Sequence, residues 1–304
     1  MPVPNSVFRL RARQALRNHW QTALLIALIV NLPSLLVQGI TAFTGNDPLV
    51  LLESRLLVLT REGNLTDAGV MAIMESISRT TGVWVMAGLS VLAWLITPAL
   101  SLGMNHWTLD RLRGQEEGVS TVFSRLRWAL KSIGLRIWIA FKILLWTLPG
   151  AALFILAAWK IAPEAAAGSL SFITLLGTAA MLVPGIMAAL RYAFSFFILS
   201  DTPEKGVFAS VRESIRLARN NTLSLFSLYL SFILWYLLLM LLSSLSEGLF
   251  GSVVSLMVQM LGSLAIGVYL STSVGAYFLF LCGESAEPVP QTAADSGDSE
   301  TPMD

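Results

Sequence analysis

The stretch LSLFSLYLSFILWYLLLMLLSSL, residues 223–245, is almost wholly apolar and contains no charged side chain. About 20 predominantly apolar residues are enough for a helix to cross the hydrocarbon core of a bilayer. Five other stretches are equally long and apolar, and none of the six contains an aspartate or a glutamate: residues 21–43, 83–105, 135–159, 170–199 and 253–282. The sequence therefore predicts an all-α, polytopic membrane protein with six transmembrane helices in one domain, residues 21–282.

The composition agrees with this prediction. Of the 304 residues 55% are hydrophobic and only 13% are charged, and the mean hydropathy is +0.70. About a quarter of the residues of a soluble domain are charged. The chain is too apolar for a soluble protein of this length.

The positive charges fall on one side of the predicted spans. Of the 20 Lys and Arg residues, the opposite side keeps only Arg55, Arg61, Arg79 and Lys160. Positively charged loops stay on the cytoplasmic side during membrane insertion. We therefore expect a multi-pass protein of a bacterial cytoplasmic membrane, with its N- and C-termini in the cytoplasm.

A weak repeat divides the six spans into three two-helix units. The pairs Val7-Phe8, Val122-Phe123 and Val207-Phe208 each open a basic stretch that precedes a span. Each of those spans is followed by a second one that returns to the starting side. Units of the same orientation would be related by an axis along the membrane normal.

Basic helices are predicted before the spans, on the cytoplasmic side. The segment 1–20 has an apolar face and a cationic one, and the stretch before the fifth span repeats the pattern. Such helices lie among anionic headgroups with their apolar side in the lipid. They serve either as topology anchors alone or as a site for an anionic lipid or a partner protein. The cations concerned are Arg9, Arg13, Arg17, Arg212, Arg216 and Arg219.

The sequence also predicts the structure of two segments outside the spans. In the outer loop 44–82, Val70, Ile73, Met74 and Ile77 fall at helical spacing and predict an interfacial helix. The C-terminal segment 283–304 is acidic and rich in proline, which predicts a disordered tail.

The sixth span carries a ladder of small residues, in which Ser263, Gly267, Ser271 and Gly275 recur at every fourth position. Small residues allow helices in a membrane to approach closely, so the ladder predicts a helix-packing seam. A polar permeation path is the functional alternative.

Two cations, Lys142 and Arg191, lie inside spans in which no carboxylate can neutralise them. A charge within the membrane indicates a functional site, here one for an anion or a lipid headgroup. The alternative is that both side chains extend to the interface, where Trp138 and Trp146, one helical turn on either side of Lys142, would be typical neighbours.

Several motifs are missing from the sequence. There is no glycine-rich phosphate loop and no histidine–glutamate zinc motif, and the spans lack the carboxylates that ion-coupled carriers commonly use. Two histidines and one cysteine provide little for a metal centre. We expect no catalytic residue, no metal, no cofactor and no nucleic-acid partner.

Short motifs along the chain resemble those of one uncharacterised family: Arg9-x-x-Ala12-Arg13-x-x-Leu16, Pro149-Gly150, Pro184-Gly185, Ser214-x-x-Leu217 and Leu230-Ser231-Phe232-Ile233-x-Trp235. The chain is similar to the bacterial integral-membrane proteins catalogued as domain of unknown function 975, which are found mostly in Gram-positive bacteria. It also looks distantly similar to membrane domains attached to some glycerophosphodiester phosphodiesterases, whose catalytic barrel is absent here. The family implies a membrane fold but no activity.

Two functional hypotheses follow from the sequence. The first is a non-enzymatic accessory or scaffold subunit that engages anionic lipid of the inner leaflet or a membrane-protein partner. The second is a permease or facilitator for an anionic or amphiphilic solute, with Lys142 and Arg191 at the binding level. The sequence leaves the ligand and the oligomeric state open.

Overall fold

The computed structural model describes residues 4–44, 48–61, 67–161 and 167–284, and this part of the chain is helical, with no β-strand. Two 3-10 turns, Leu126–Trp128 and Pro203–Lys205, also occur. The helices are α1 (Asn5–Leu16), α2 (Trp20–Thr44), α3 (Pro48–Arg61), α4 (Asp67–Ser78), α5 (Thr81–Leu112), α6 (Thr121–Ser124), α7 (Ala129–Ile161), α8 (Ala167–Tyr192), α9 (Ser195–Asp201), α10 (Val207–Ala218), α11 (Thr222–Phe250) and α12 (Ser252–Leu281).

Six helical segments are long and apolar enough to cross a membrane, which confirms the predicted number of spans. They contain α2, α5, α7, α8, α11 and α12. Four of these helices contain a proline in their interior, at Pro33, Pro98, Pro149 and Pro184. The predicted fourth span, 170–199, is not one uninterrupted helix, because a turn at residues 193–194 separates α8 from α9.

Consecutive spans pack against each other in pairs. The most extensive contacts join α7 to α8, α11 to α12 and α2 to α5. α12 also packs against α2 and α5, so these three helices form a central group. The three two-helix units, and the repeat that would relate them by symmetry, stay a prediction.

The two ends of the bundle differ in their packing. We call the end that carries α1, α6, α9 and α10 the basal end, and the opposite end, with α3 and α4, the distal end. The three large core clusters lie mainly in the basal half and contain fully buried Leu16, Trp107, Leu135, Phe194 and Leu225. The basal half is therefore the closely packed part of the molecule.

The distal halves of two hairpins are loosely covered by protein. Between residues 141 and 156 of α7 only Gly150 is buried. Between residues 233 and 250 of α11 only Leu239 and Ser246 are buried. Apolar side chains on these surfaces are what a helix presents to lipid.

The N-terminal helix α1 packs onto the bundle itself. Phe8 is buried, and its ring lies 4.6 Å from that of Tyr277 and 5.4 Å from that of Phe280, measured between centroids. The apolar face of α1 thus contacts protein, chiefly α12 and α5, where the sequence suggested lipid. The placement of α1 and α10 at a membrane surface stays a prediction.

The outer loop forms the two helices α3 and α4. Ile73 and Ile77 of α4 form a small apolar cluster with Val83 of α5, and leucines of α3 pack against it. The helical spacing noticed in the sequence corresponds to α4. Residues 285–304, most of the predicted tail, lie outside the described part of the chain.

Candidate functional site: a polar cavity between the spans

A half-open cavity of about 770 Å³ lies between helices of the bundle, mainly α2, α5 and α12. Residues of α7, α9 and α11 complete its wall, and each of these helices contributes few of them. Binding sites for small molecules commonly have volumes of about 300–1,000 Å³. The cavity is large enough for a small organic molecule.

Three polar stripes line the cavity, one on each of the central helices. Positions separated by three or four residues lie on one face of a helix, and each stripe follows that spacing. The stripes are Asn31, Ser34 and Gln38 on α2; Thr97, Ser101 and Asn105 on α5; and Gln259, Ser263, Gly267 and Ser271 on α12. Otherwise apolar helices therefore turn their few polar groups towards one common space.

Three of the five hydroxyl groups in these stripes donate hydrogen bonds to carbonyl oxygens of their own helices. Thr97 Oγ1 donates to the carbonyl oxygen of Ala93 at 2.7 Å, and Ser101 Oγ donates to that of Thr97 at 2.8 Å. Ser263 Oγ likewise donates to the Met260 carbonyl at 2.9 Å. These hydroxyl oxygens retain their capacity to accept hydrogen bonds.

Side-chain amides in the cavity have unused hydrogen-bonding capacity. The amides of Gln38, Asn105 and Gln259 form no hydrogen bond to any residue that the structure describes. Asn31 donates one, from Nδ2 to the Ala27 carbonyl oxygen at 2.8 Å. None of these amides is fully buried. Water or a polar ligand in the cavity can therefore serve as their partner.

One cation, Arg136 of α7, lines the cavity. Its guanidinium carbon lies 5.7 Å from the ring centroid of Trp94. Within the described residues the guanidinium makes no hydrogen bond and no ion pair. No Asp or Glu is among the described residues that line the cavity. The cavity therefore carries one positive charge that no described lining residue balances.

The small-residue ladder of α12 has two roles along its length. Ser263, Gly267 and Ser271 face the cavity, and a Cβ added at Gly267 would meet no other atom within 4 Å. Gly275, one step further, packs closely, because its Cβ would lie 3.2 Å from side-chain atoms of Leu112 and Thr108. Gly275 thus lies at a close helix contact, while the other three positions line the cavity. The packing seam and the polar permeation path both stay predictions.

Lys142 and Arg191 do not line the cavity. The ammonium nitrogen of Lys142 lies 5.0 Å from the ring centroid of Trp138, and the guanidinium carbon of Arg191 lies 5.5 Å from that of Trp146. Both cations stack on tryptophans of α7, which are the neighbours that the sequence identified for Lys142. They occupy the surface of the α7–α8 hairpin.

The predicted basic helices present their cations outward. Arg212, Arg216 and Arg219 are exposed on or beside α10, and Arg13 and Arg17 are exposed at the end of α1. Arg9 is half-buried, and its carbonyl oxygen accepts a hydrogen bond from Tyr269 Oη at 3.2 Å. These residues lie at the basal end, away from the cavity.

Ion pairs of Arg113 with Asp201 and Glu284, which we call the clamp, join helices at the basal end. Arg113 donates to Asp201 through Nη1 at 2.7 Å and to Glu284 through Nη2 at 2.7 Å, which connects α5 with α9 and the end of α12. Hydrogen bonds to Glu284 and Asp201 raise the pKa of Arg113 well above its usual value. Arg111 Nε donates to the Ala15 carbonyl oxygen at 3.3 Å and ties α1 to the same end.

Sequence reasoning missed Arg136 and the stripes on α2 and α5. Arg136 is the second residue of the predicted third span, and its charge was attributed to the cytoplasmic boundary. The missed signal was the spacing, because Asn31, Ser34 and Gln38 are the kind of i, i+3, i+7 series that marks one helix face.

Comparisons with known proteins identify the family. No curated protein and no solved structure matches the chain. The family model described as "Protein of unknown function (DUF975)" matches residues 1–284. The chain, with its six membrane-length helices, is a member of the DUF975 family of proteins of unknown function.

Proposed function

We propose that this chain is a non-enzymatic permease or facilitator whose solute occupies the cavity between α2, α5 and α12. The observation that carries the proposal is the convergence of three polar stripes on one space inside apolar helices. Polar side chains that face the interior of a membrane bundle join helices or line solute pathways. The amides of Gln38, Asn105 and Gln259 bond to no described residue, which favours the second role.

Exposure along the stripes supports access from the distal end. Gln38 and Gln259, the lining amides nearest that end, are exposed, whereas Asn31 and Asn105 are half-buried. The basal side is covered by core residues, among them Val268 and Phe197, which also line the cavity. We propose that the described conformation admits solute from the distal side.

The charge distribution supports an orientation for this pathway. We propose a bacterial cytoplasmic membrane with the basal end in the cytoplasm, because the exposed cations of α1 and α10 lie there. The distal mouth would then face outward.

A substitution that fills the cavity tests the proposal. Gly267→Phe introduces a large side chain where the structure has open space, and Gly88→Phe, on an exposed face of α5, is the matched control with equally open surroundings. Efflux of loaded carboxylate, phosphate, neutral and cationic solutes from proteoliposomes is compared with protein-free vesicles. We expect the wild type and Gly88→Phe to release at least one solute class and Gly267→Phe to release none. Equal release by both variants contradicts the proposal.

A second function is supported by the α7–α8 surface. Lys142 and Arg191 lie there against tryptophans, and neither forms an ion pair with a described residue. This arrangement suits the phosphate of an anionic lipid and favours the accessory or scaffold role. Native mass spectrometry should show retained anionic lipid in the wild type and less in a Lys142→Gln, Arg191→Gln double variant. Equal retention of anionic lipid by the wild type and the double variant would show that Lys142 and Arg191 do not bind it.

A further inference from the structure

We infer that Arg136 is the specificity-determining residue of the cavity, and that the ligand is an amphiphile with one carboxylate or phosphate group and no positive charge. The inference rests on the proposed function, since it names the class of solute that the cavity accepts. It assigns the anionic group of the ligand to the basal part of the cavity.

The bonding state of Arg136 is the first reason. A guanidinium has five N–H donors and stays protonated in proteins. The contact with Trp94 at 5.7 Å places an aromatic face against the cation and uses none of the usual hydrogen-bond acceptors. A charge at this depth requires a counter-charge or water. Because no described lining residue is an acid, the protein supplies no counter-charge within the cavity, and an anionic ligand would supply one in place of water.

The depth of Arg136 is the second reason. Arg136 lies seven residues from the start of α7 at Ala129, and Asn105 lies seven residues from the end of α5 at Leu112. With a rise of 1.5 Å per residue, both are about 10 Å from the basal helix ends. The free amide of Asn105 is thus at the level of the guanidinium. Together they offer N–H donors suited to the oxygens of a carboxylate or phosphate.

The apolar residues that line the cavity determine what the rest of the ligand can be. Val30, Met104 and Leu264 place apolar surface between the polar stripes. A ligand with an apolar part therefore buries that part against them. A zwitterion or a cation would find a positive charge and no carboxylate, which disfavours both. The anionic group can belong to a membrane lipid or to a free organic anion.

Binding to the full chain in phosphatidylcholine nanodiscs tests the inference. The probes share one chain length and differ in charge: octanoate, octyl phosphate, octanol and octyltrimethylammonium. We expect the two anions to bind more tightly than octanol, and the cation to bind least. Arg136→Gln should weaken the binding of the anions about 10- to 100-fold and leave octanol unchanged, as expected for one lost charge-assisted contact.

Two further variants keep the result interpretable. Arg136→Lys retains the charge and should recover most of the anion preference, even if Arg136→Gln fails to fold. Arg61→Gln removes an exposed cation of α3 that does not line the cavity, and should leave binding of all four probes unchanged. Adding phosphatidylglycerol to the discs separates the two sources of the anion, because it displaces octyl phosphate if the ligand is a lipid and not if the ligand is a free anion.

Two results overturn the inference. One is equal affinity of the wild type for octanoate and octyltrimethylammonium, and the other is unchanged anion binding in Arg136→Gln. If either occurs while Gly267→Phe abolishes octanol binding, the cavity still binds solutes and only the anion specificity is wrong. If Gly267→Phe has no effect on any probe, the proposed function fails as well.

Discussion

Replacing Gly150 by alanine should destabilise the α7–α8 hairpin. Gly150 follows Pro149 and is the buried residue of an otherwise exposed stretch of α7. A Cβ at this position would overlap the carbonyl oxygen of Ala180, and would lie 2.7 Å from the Ala180 carbonyl carbon and 2.8 Å from Met181 Cα. All three are backbone atoms of α8, so the helices have to move apart to make room.

The magnitude follows from two opposing terms. Alanine stabilises a helix interior by about 1 kcal/mol relative to glycine, and overpacking of a close contact costs about 1–3 kcal/mol. Gly88→Ala is the matched control, because a Cβ at Gly88 in α5 meets no other atom within 4 Å. The helix-propensity gain is the same in both variants. Their difference therefore isolates the packing cost of about 1–3 kcal/mol.

The assay is thermal unfolding of both purified variants in one detergent. We expect the midpoint of Gly150→Ala to lie roughly 2–10 °C below that of Gly88→Ala. A midpoint for Gly150→Ala equal to or above the control would show that α7 and α8 do not approach through this glycine, and would refute the packing described for the hairpin.

Two further predictions concern the basal end. Phe8→Ala should lower the free energy of unfolding by about 3–5 kcal/mol, because the ring is buried between α1 and α12. Leu10→Ala, at a side chain that is 53% exposed, should lower it far less. Equal losses of stability in thermal unfolding would contradict the docking of α1. Arg113→Gln should lower stability by about 1–3 kcal/mol through loss of the hydrogen bonds to Asp201 and Glu284. Since folding raises the pKa of Arg113, its contribution to the free energy of unfolding is fully present below the ordinary pKa of arginine and is lost only above it. The stability difference between Arg113→Gln and the wild type should therefore be the same at about pH 7 and about pH 9. A stability difference that shrinks at the higher pH would argue against the clamp.

The six spans could be predicted from the sequence because hydropathy over about 20 residues is a sum that does not depend on how the helices pack. The break between α8 and α9 was not predictable in this way. Residues 193–194 are as apolar as their neighbours, and Phe194 is fully buried in the basal core. Hydropathy shows no difference there, since the turn depends on tertiary packing.

The candidate site was only partly predictable for a related reason. The ladder on α12 was visible as a pattern, but small residues serve a packing seam and a polar cavity equally well. Only the structure shows that Gly267 faces open space and that Gly275 contacts Thr108. Lys142 and Arg136 are both cations of the same span, and helix rotation decides which one reaches the cavity.

If the cavity along α12 is filled with water, a cysteine introduced there should react with a polar reagent. Cys282 is replaced by serine to provide a cysteine-free chain. Ser263→Cys then places a thiol in the cavity, and Leu241→Cys places one on an exposed apolar face of α11.

Both variants are treated in nanodiscs with a charged methanethiosulfonate reagent that cannot enter hydrocarbon. Because the thiolate is the reactive form and forms poorly in apolar surroundings, we expect Ser263→Cys to react on the order of tenfold faster than Leu241→Cys, or more. Equally slow reaction at both positions would contradict the aqueous cavity between α2, α5 and α12.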